Sequence, residues 1–196
     1  MVIKKTKVVD KWKLKKWYTV LAPSLFEQKQ LPEIVSSEDQ ALINRIIKVS
    51  LIDLVPSGSS TSMYTSVFFR INNVAGTNAS TKLIGHEVSP AYIKTFARRG
   101  KILLHMTVDT KTKDEEDLRV KMVIVTTGKI SENTRRNLRN AAVEEVQKIG
   151  PSFTYDELMQ EILYGRLASK LFHKLKQITS LKRFEIRKTE KKEIFA

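Results

Sequence analysis

Positive charge is concentrated at the two ends of this chain, which leaves a near-neutral middle as the part able to fold into a packed body. Residues 1–16 carry seven Lys and one acid, and residues 166–196 carry ten Lys or Arg and three acids. The 149 residues between them have a net charge of +1, although the whole chain has +14. This distribution is typical of a protein held against a polyanion, because phosphates offset the repulsion within each cationic end.

The composition indicates an ordinary folded protein without thiol chemistry. Hydrophobic residues make up 41% of 196 residues, enough to bury the core of one domain. The chain has no Cys, which excludes disulfides and thiolate metal sites and fits a reducing, intracellular setting. We expect neither a signal peptide nor a membrane partner, since no apolar run approaches the roughly 18 residues that span a bilayer.

Residues 17–127 are predicted to be rich in β-strands. The predicted strands are 16–23, 42–53, 63–71, 81–88, 102–110 and 118–127, the last two forming a hairpin. A helix is the competing interpretation for 42–53, because short apolar runs are ambiguous. Residues 24–40 are expected to be a loop. Ser89 and Pro90 predict the start of a short helix that stops at Gly100.

Helical spacing takes over across residues 131–178. The first predicted helix ends at Gly150, and the next opens on a capping box formed by Thr154 and Glu157. A bend is expected at Gly165. A further apolar stripe follows it, and a short terminal strand is predicted over residues 180–187.

These elements predict an α+β fold, with a mostly antiparallel β-sheet or barrel-like body flanked by helices and with basic extended ends. The expected organisation is a basic N-terminal arm over residues 1–16, a single globular domain over 17–187 and a charged C-terminal tail over 188–196.

Residues able to support catalysis or metal binding are sparse. The three histidines lie in different predicted elements with no metal-ligand spacing, and the chain has no nucleophile elbow. We therefore expect no catalytic residues, no metal and no cofactor. One alternative stays open: Asp109 and Lys121 lie on the predicted hairpin, and if they face each other they provide part of a Mg²⁺-dependent nuclease site.

Basic clusters, several of them beside aromatic residues, are the better candidates for function. Lys binds phosphates, and Arg binds them through two parallel hydrogen bonds. Trp and Tyr stack on unpaired bases. The predicted RNA-binding residues are Lys11, Lys13, Lys15, Lys16, Trp17, Arg98, Arg99, Lys101, Arg135, Arg136, Arg139, Lys182 and Arg183. Trp17 has a competing interpretation as an anchor of the arm in the core. The arginines from 135 to 139 lie near a helix start, where the dipole disfavours cations, and this favours a phosphate contact.

Two motifs near the ends of the chain resemble a known family. The opening motif is Asp10-x-Trp12-Lys13-Leu14-Lys15-x-Trp17-Tyr18-x-Val20-x-Ala22-Pro23, and the closing motif is Leu181-Lys182-Arg183-Phe184-Glu185-Ile186-Arg187-Lys188. Looser matches between them are Gly85-His86-Glu87, Tyr92 before Arg98-Arg99, Asp109 and Arg119-Val120-Lys121. Together they are similar to the archaeal and eukaryotic small-subunit ribosomal protein family called S-three-A, over roughly residues 10–190.

The resemblance implies a non-enzymatic structural constituent of the small ribosomal subunit, located on cytoplasmic ribosomes. Its expected partners are small-subunit rRNA, including the region near its 3′ end, and neighbouring proteins of the platform near the mRNA exit, with mRNA as a further candidate. It also implies a role in translation and subunit assembly. The short chain favours an archaeal-type member. A free RNA-binding translation or RNA-processing factor is the first alternative and the nuclease the second.

Overall fold

The computed structural model describes residues 10–55 and 60–193, without the side chains of Lys11 and Ser60. The first nine residues of the expected arm, the turn at 56–59 and residues 194–196 lie outside the described part. The strands are β1 Lys16–Leu21, β2 Gln30–Ser36, β3 Ile46–Ser50, β4 Thr65–Ala75, β5 Asn78–Val88, β6 Leu103–Lys111, β7 Asp117–Thr126 and β8 Leu181–Lys191. The α-helices are α1 Leu51–Leu54, α2 Pro90–Lys94, α3 Glu132–Ile149, α4 Tyr155–Leu163 and α5 Arg166–Leu175.

Hydrogen bonds link the strands in the order β2-β1-β5-β8-β7-β6, and β4 pairs with β3 and β5. The β1–β5 pair is parallel, whereas β1–β2, β5–β8, β6–β7 and β7–β8 are antiparallel. The predicted α+β class with a mostly antiparallel sheet is therefore confirmed. Among the described strands the order has two open ends, β2 and β6, so the sheet does not close into a barrel.

The chain forms two compact units. Unit 1 comprises Met1–Ile47 and Phe69–Leu83, and unit 2 comprises Lys48–Phe68 and Ile84–Ala196. Strands β4 and β5 contribute residues to both units. The single domain expected over residues 17–187 stays a prediction.

Unit 1 is built around β1 and the first part of β5. Val20 and Ile71 are fully buried, and the ring of Phe26 meets the buried ring of Phe69 edge-on at 5.6 Å between centroids. The loop expected over residues 24–40 is wrong, since β2 forms there and pairs with β1. Pro32 fits this strand because β2 lies at one end of the strand order, where a missing N–H donor is tolerated.

The segment 42–53, predicted as a strand with a helix as the alternative, contains both a strand and the start of a helix. Residues 46–50 form β3, and the chain turns directly into the single turn of α1. Residues 63–71 and 81–88, both predicted as strands, lie in β4 and β5, which pair with each other. In β4, Thr65, Val67, Phe69 and Ile71 alternate as the buried residues.

Unit 2 contains the predicted hairpin, with β6 and β7 in continuous register from Leu103 and Val125 to Lys111 and Asp117. Strand β8 lies between β5 and β7 and runs four residues past the predicted end at 187. The tail expected from residue 188 therefore begins as strand. Its polar face is satisfied by ion pairs, because Lys188 pairs with Glu190, and Glu190 with Lys121.

The helices of unit 2 begin and end largely where local signals predict. Ser131 caps α3, and Thr154 and Glu157 form the capping box of α4. Gly165, at a φ of +73°, separates α4 from α5. Helix α2 is shorter than predicted: it ends at Lys94, and the Thr95 hydroxyl donates to the Tyr92 carbonyl at 2.7 Å, competing with further helical bonding.

Helices lie on both faces of the β6–β7–β8 sheet. Ile93 of α2 packs with Val88, Val123 and Val125 on one face. Alternation along β7 directs Met122 and Ile124 to the other face, and α3 packs against β6. The end of α3 lies by the turn end of β6, since a Cβ built on Gly150 would lie 2.0 Å from Oγ1 of Thr110. No helix in the described residues is both long and apolar enough to cross a membrane.

Candidate nucleic-acid interface

One end of the unit 2 sheet collects basic residues from three strands. Because β7 is antiparallel to both neighbours, the start of β6, the end of β7 and the start of β8 lie side by side. Val125 pairs with Leu103 on one side and with Arg183 on the other. The basic end of unit 2, as we name it, comprises Arg98, Arg99, Lys101, Lys129, Lys182 and Arg183.

No acid interrupts the segments that lead to this end. Residues 88–108, 118–131 and 171–184 contain no Asp or Glu. At the other end of the hairpin, residues 114–117 are all acidic. The strands of unit 2 therefore run from a cationic end to an acidic turn, and the field of the cationic end attracts anions.

Lys101 and Lys182 face each other within the basic end. The Lys182 ammonium, close enough for a hydrogen bond, lowers the pKa of Lys101, and burial and the charge of Arg98 add to this effect. Two ammonium groups this close repel one another, so an anion bound between them would relieve that repulsion. This pair of lysines is therefore better suited to bind a phosphate than an isolated lysine would be.

Arg183 has a different role, because its guanidinium is held by aromatic rings. It lies 4.8 Å from the centroid of Phe96 and 5.7 Å from that of Tyr92, and Nη1 donates to the Tyr92 hydroxyl at 2.7 Å. Beside it, Arg98 and Lys182 line a cavity of about 240 Å³ together with Phe96. Arg183 thus fixes the wall of this cavity, and Arg98 and Lys182 present charge within it.

The arginines of α3 differ in whether they form an ion pair within the described part of the chain. Arg135 is partly buried, and its Nη1 donates to the Glu132 carboxylate at 2.9 Å. Arg136 and Arg139 are exposed, and neither forms an ion pair within the described part of the chain. Helix α3 begins six residues after β7 ends, so Arg136 in its second turn lies toward the basic end.

Unit 1 carries its own basic surface on the turn Lys11–Leu14 and the start of β1. The side chains of Lys13, Lys15 and Lys16 are exposed, while that of Lys11 lies outside the described part. Nζ of Lys15 lies 4.0 Å from the Trp12 ring centroid. Trp12 and Trp17 are 66% and 64% exposed, so both rings are accessible for stacking.

The interpretation of Trp17 as a core anchor is wrong. Its neighbour Tyr18 is the buried residue, and the Tyr18 hydroxyl donates to the Asp39 carboxylate. Successive strand residues point to opposite faces, so burying Tyr18 turns Trp17 outward.

The arrangement proposed for a nuclease site is also wrong. In the β6–β7 register Asp109 faces Arg119, and Lys121 faces Thr107. The Asp109 carboxylate accepts from Arg119 at 2.7 and 2.9 Å and from Lys192 at 2.8 Å. These hydrogen bonds, that from Arg119 most, hold the pKa of Asp109 well below its usual range.

The rest of the described chain offers no metal site, since no three His, Asp or Glu residues there are grouped to hold an ion. His86 is buried between β5 and β8, away from solvent.

Lys129 is the member of the basic end that sequence reasoning missed. It stands alone in the exposed turn between β7 and α3 and has no cationic neighbour in sequence. The strand register places the end of β7, which Lys129 follows, between the starts of β6 and β8. A prediction of the hairpin together with the β7–β8 pairing would have been the signal needed to find it.

Comparison with known proteins places this geometry in context. The model of the Ribosomal S3Ae family matches residues 3–193. Curated relatives named small ribosomal subunit protein eS1 occur in archaea. That of Methanothermobacter thermautotrophicus is 31% identical over 186 residues, covering 95% of this chain and 94% of the relative. That of Saccharolobus solfataricus is 32% identical over 183 residues, covering 93% and 87%.

Proposed function

Because the chain belongs to the ribosomal S3Ae family, we propose that it is a structural constituent of the small ribosomal subunit that binds rRNA through the basic end of unit 2. The observation that carries this assignment is the convergence of basic residues from three strands at one end of the sheet, on segments that contain no Asp or Glu. Within it, Lys101 and Lys182 repel one another. An rRNA phosphate between them supplies the missing negative charge. Release of condensed counterions from the RNA adds to the affinity.

The remaining predicted residues supply further phosphate contacts. Arg98, Arg99 and Arg136 are exposed at or near the same end, and Arg139 follows one helical turn later. In unit 1, Lys13, Lys15 and Lys16 bind phosphates, while Trp12 and Trp17 stack on unpaired bases. Such phosphate contacts fix the position of the protein on RNA without reading sequence.

The expected neighbours follow from the family resemblance. We place the protein on the platform of the small subunit, near the mRNA exit and the 3′ end of the rRNA. Neighbouring platform proteins complete its surroundings, with mRNA as a further partner near the exit. Its role is the assembly and stabilisation of this region on cytoplasmic ribosomes, without enzymatic activity.

A matched pair of charge variants tests the basic end. Lys101→Gln with Lys182→Gln removes two cations there, and Lys111→Gln with Lys113→Gln removes two exposed cations at the other end of the hairpin. The first variant should weaken binding to a small-subunit rRNA fragment. It should also lower the slope of log affinity against log salt by about one unit per lost phosphate contact. The second should leave both quantities nearly unchanged.

Sedimentation of cell lysates in low and high salt distinguishes a ribosomal constituent from a free factor. A constituent co-migrates with the small subunit in both salts, and the variant at the basic end is released by high salt. A free translation or processing factor leaves the subunit in the high-salt gradient even as wild type.

Equal effects of both charge variants on affinity and salt slope would contradict the assignment of the basic end.

A further inference from the structure

Three aromatic side chains form a ladder beside the basic end of unit 2. The rings of Tyr64 and Tyr92 are stacked with centroids 4.4 Å apart and planes 9° apart. Phe96 meets Tyr92 edge-on at 4.8 Å. Tyr64 is the outermost ring, and its side chain is 47% exposed. Tyr92 covers one face of this ring, and among the described residues no other ring packs on Tyr64, so the exposed part of the ring offers its second face to a ligand.

The ladder is held rigidly. The backbone N–H of Ser89 donates to the Tyr64 carbonyl at 2.7 Å, which fixes the segment carrying the ring. Tyr92 and Phe96 pack on the buried cluster that contains Ile93. Arg183 bonds the Tyr92 hydroxyl, so the second ring is anchored at its polar tip. A ligand that stacks on Tyr64 therefore binds a preorganised surface, and little side-chain entropy is lost on binding.

Positive charge continues from the ladder into the basic end. Arg183 contacts both Tyr92 and Phe96, and it shares the wall of the 240 Å³ cavity with Arg98 and Lys182. Glu185 lies 3.9 Å from Nε of Arg183 and partly balances that one guanidinium. Arg98 and Lys182 form no ion pair with a carboxylate in the described residues. The ladder thus joins a free aromatic face to unpaired cations.

We propose that Tyr64 stacks on an unpaired base of an RNA strand whose phosphates are bound by Arg98, Lys101 and Lys182. A base on the free face of Tyr64 and phosphates at Arg98, Lys101 and Lys182, with Tyr92 and Arg183 between them, match successive nucleotides of one strand. A duplex keeps its base faces stacked inside, so this platform selects single-stranded RNA. The inference rests on the proposed function, since it needs RNA at the basic end, and it adds the kind of RNA bound there.

Binding of the whole chain to two labelled RNAs with equal numbers of phosphates tests the inference by fluorescence anisotropy. One probe is single-stranded oligoadenylate and the other is a duplex. Tyr64→Ala should weaken binding of the single strand about 5- to 150-fold, the size expected for one lost stacking contact. It should leave duplex affinity and both salt slopes unchanged, because no phosphate contact is lost.

Control variants separate stacking from folding. Tyr64→Phe keeps the ring and should retain near wild-type affinity, whereas Tyr64→Leu keeps the bulk and should behave like Tyr64→Ala. Met63→Ala alters a neighbour that is 65% exposed and outside the ladder, and it should change neither affinity. Circular dichroism verifies the fold of each variant.

The charge variant at Lys101 and Lys182 keeps the two hypotheses apart. If Tyr64→Ala and Tyr64→Leu bind the single strand as tightly as wild type while the charge variant loses affinity for both probes, stacking at Tyr64 is wrong and the proposed function stands. If the charge variant loses affinity for neither probe, RNA binding at the basic end is itself wrong.

Discussion

His86 and Thr189 are hydrogen-bonded to each other across the paired strands β5 and β8. Nδ1 of His86 lies 2.7 Å from the Thr189 hydroxyl oxygen, and that oxygen also accepts from the backbone N–H of His86 at 3.1 Å. Nε2 lies 3.1 Å from the carbonyl oxygen of Ile186. A carbonyl only accepts, so Nε2 carries the proton, and Nδ1 accepts from Thr189. The histidine is thus a neutral connection between two strands.

Acid should destabilise the protein through His86. Burial lowers the pKa of His86 from 6.5 to about 4. The unfolded chain therefore binds a proton that the folded chain does not between these values, and the free energy of unfolding falls as the pH drops from about 6.5 to about 4. The loss amounts to about 3 kcal/mol. Urea unfolding across this pH range measures it.

Two histidine variants isolate this contribution. His86→Gln should flatten the pH dependence over that window, while His105→Gln, at an exposed residue, should preserve it. Identical pH dependence in wild type and His86→Gln would contradict the assignment.

Gly85→Ala should destabilise the protein strongly. A Cβ on Gly85 would lie 2.1 Å from the Thr189 carbonyl oxygen, so the backbones of β5 and β8 would have to separate. The free energy of unfolding should fall by about 1–3 kcal/mol or more, the usual range for overpacking. Gly128→Ala is the control, because no heavy atom lies within 4 Å of its added Cβ. Equal unfolding midpoints in denaturant for the two variants would refute the close approach.

Removing one charge from the basic end should stabilise the RNA-free protein. Lys182→Gln relieves the repulsion that lowers the pKa of Lys101, so we expect a higher Tm at low ionic strength. The gain should shrink in high salt, which screens exposed charges. Lys94→Gln, at an exposed residue outside the basic end, serves as the control in scanning calorimetry. A gain from Lys182→Gln that persists unchanged in high salt would argue against repulsion as its cause.

Asp109→Asn should affect stability rather than RNA cleavage. The substitution weakens the hydrogen bonds from Arg119 and Lys192, and for so exposed a group the expected loss at neutral pH is about 0.2–1 kcal/mol. The pKa of Asp109 is lowered, so its contribution is present above the usual carboxyl pKa and disappears as the pH falls below it. Asp117→Asn is the exposed control. Cleavage of labelled RNA with Mg²⁺ that Asp109→Asn abolishes would overturn this expectation.

The elements predicted well are those with strong local signals. The hairpin of β6 and β7 alternates along both strands, and α3 and α4 begin at side-chain caps. Strand β2 escaped prediction because Pro32 and Glu33 interrupt its apolar pattern, and its pairing with β1 decides its conformation. Strand β8 was predicted too short because Lys188 and Glu190 suggest solvent, whereas ion pairs hold them in the sheet.

The candidate site could be predicted only as a set of charges. Local composition identifies Arg98, Lys101 and Lys182 as basic residues, but their common location depends on the antiparallel register of three strands. The stack of Tyr64 on Tyr92 joins residues far apart in sequence, and no periodic pattern indicates it. Alternation alone likewise leaves open whether Trp17 or Tyr18 is buried, because it defines two faces without saying which one packs.

Strand β8 occupies the middle of the unit 2 sheet, and the ribosome makes it after every other strand described here. While the chain is being synthesised, β5 and β7 lack the neighbour that joins them, and His86 lacks Thr189. The edges of β5 and β7 therefore stay unpaired in the nascent polypeptide until β8 has left the exit tunnel, and the basic end gains Lys182 only as that strand emerges. The RNA binding proposed for this end therefore requires β8 to be in place.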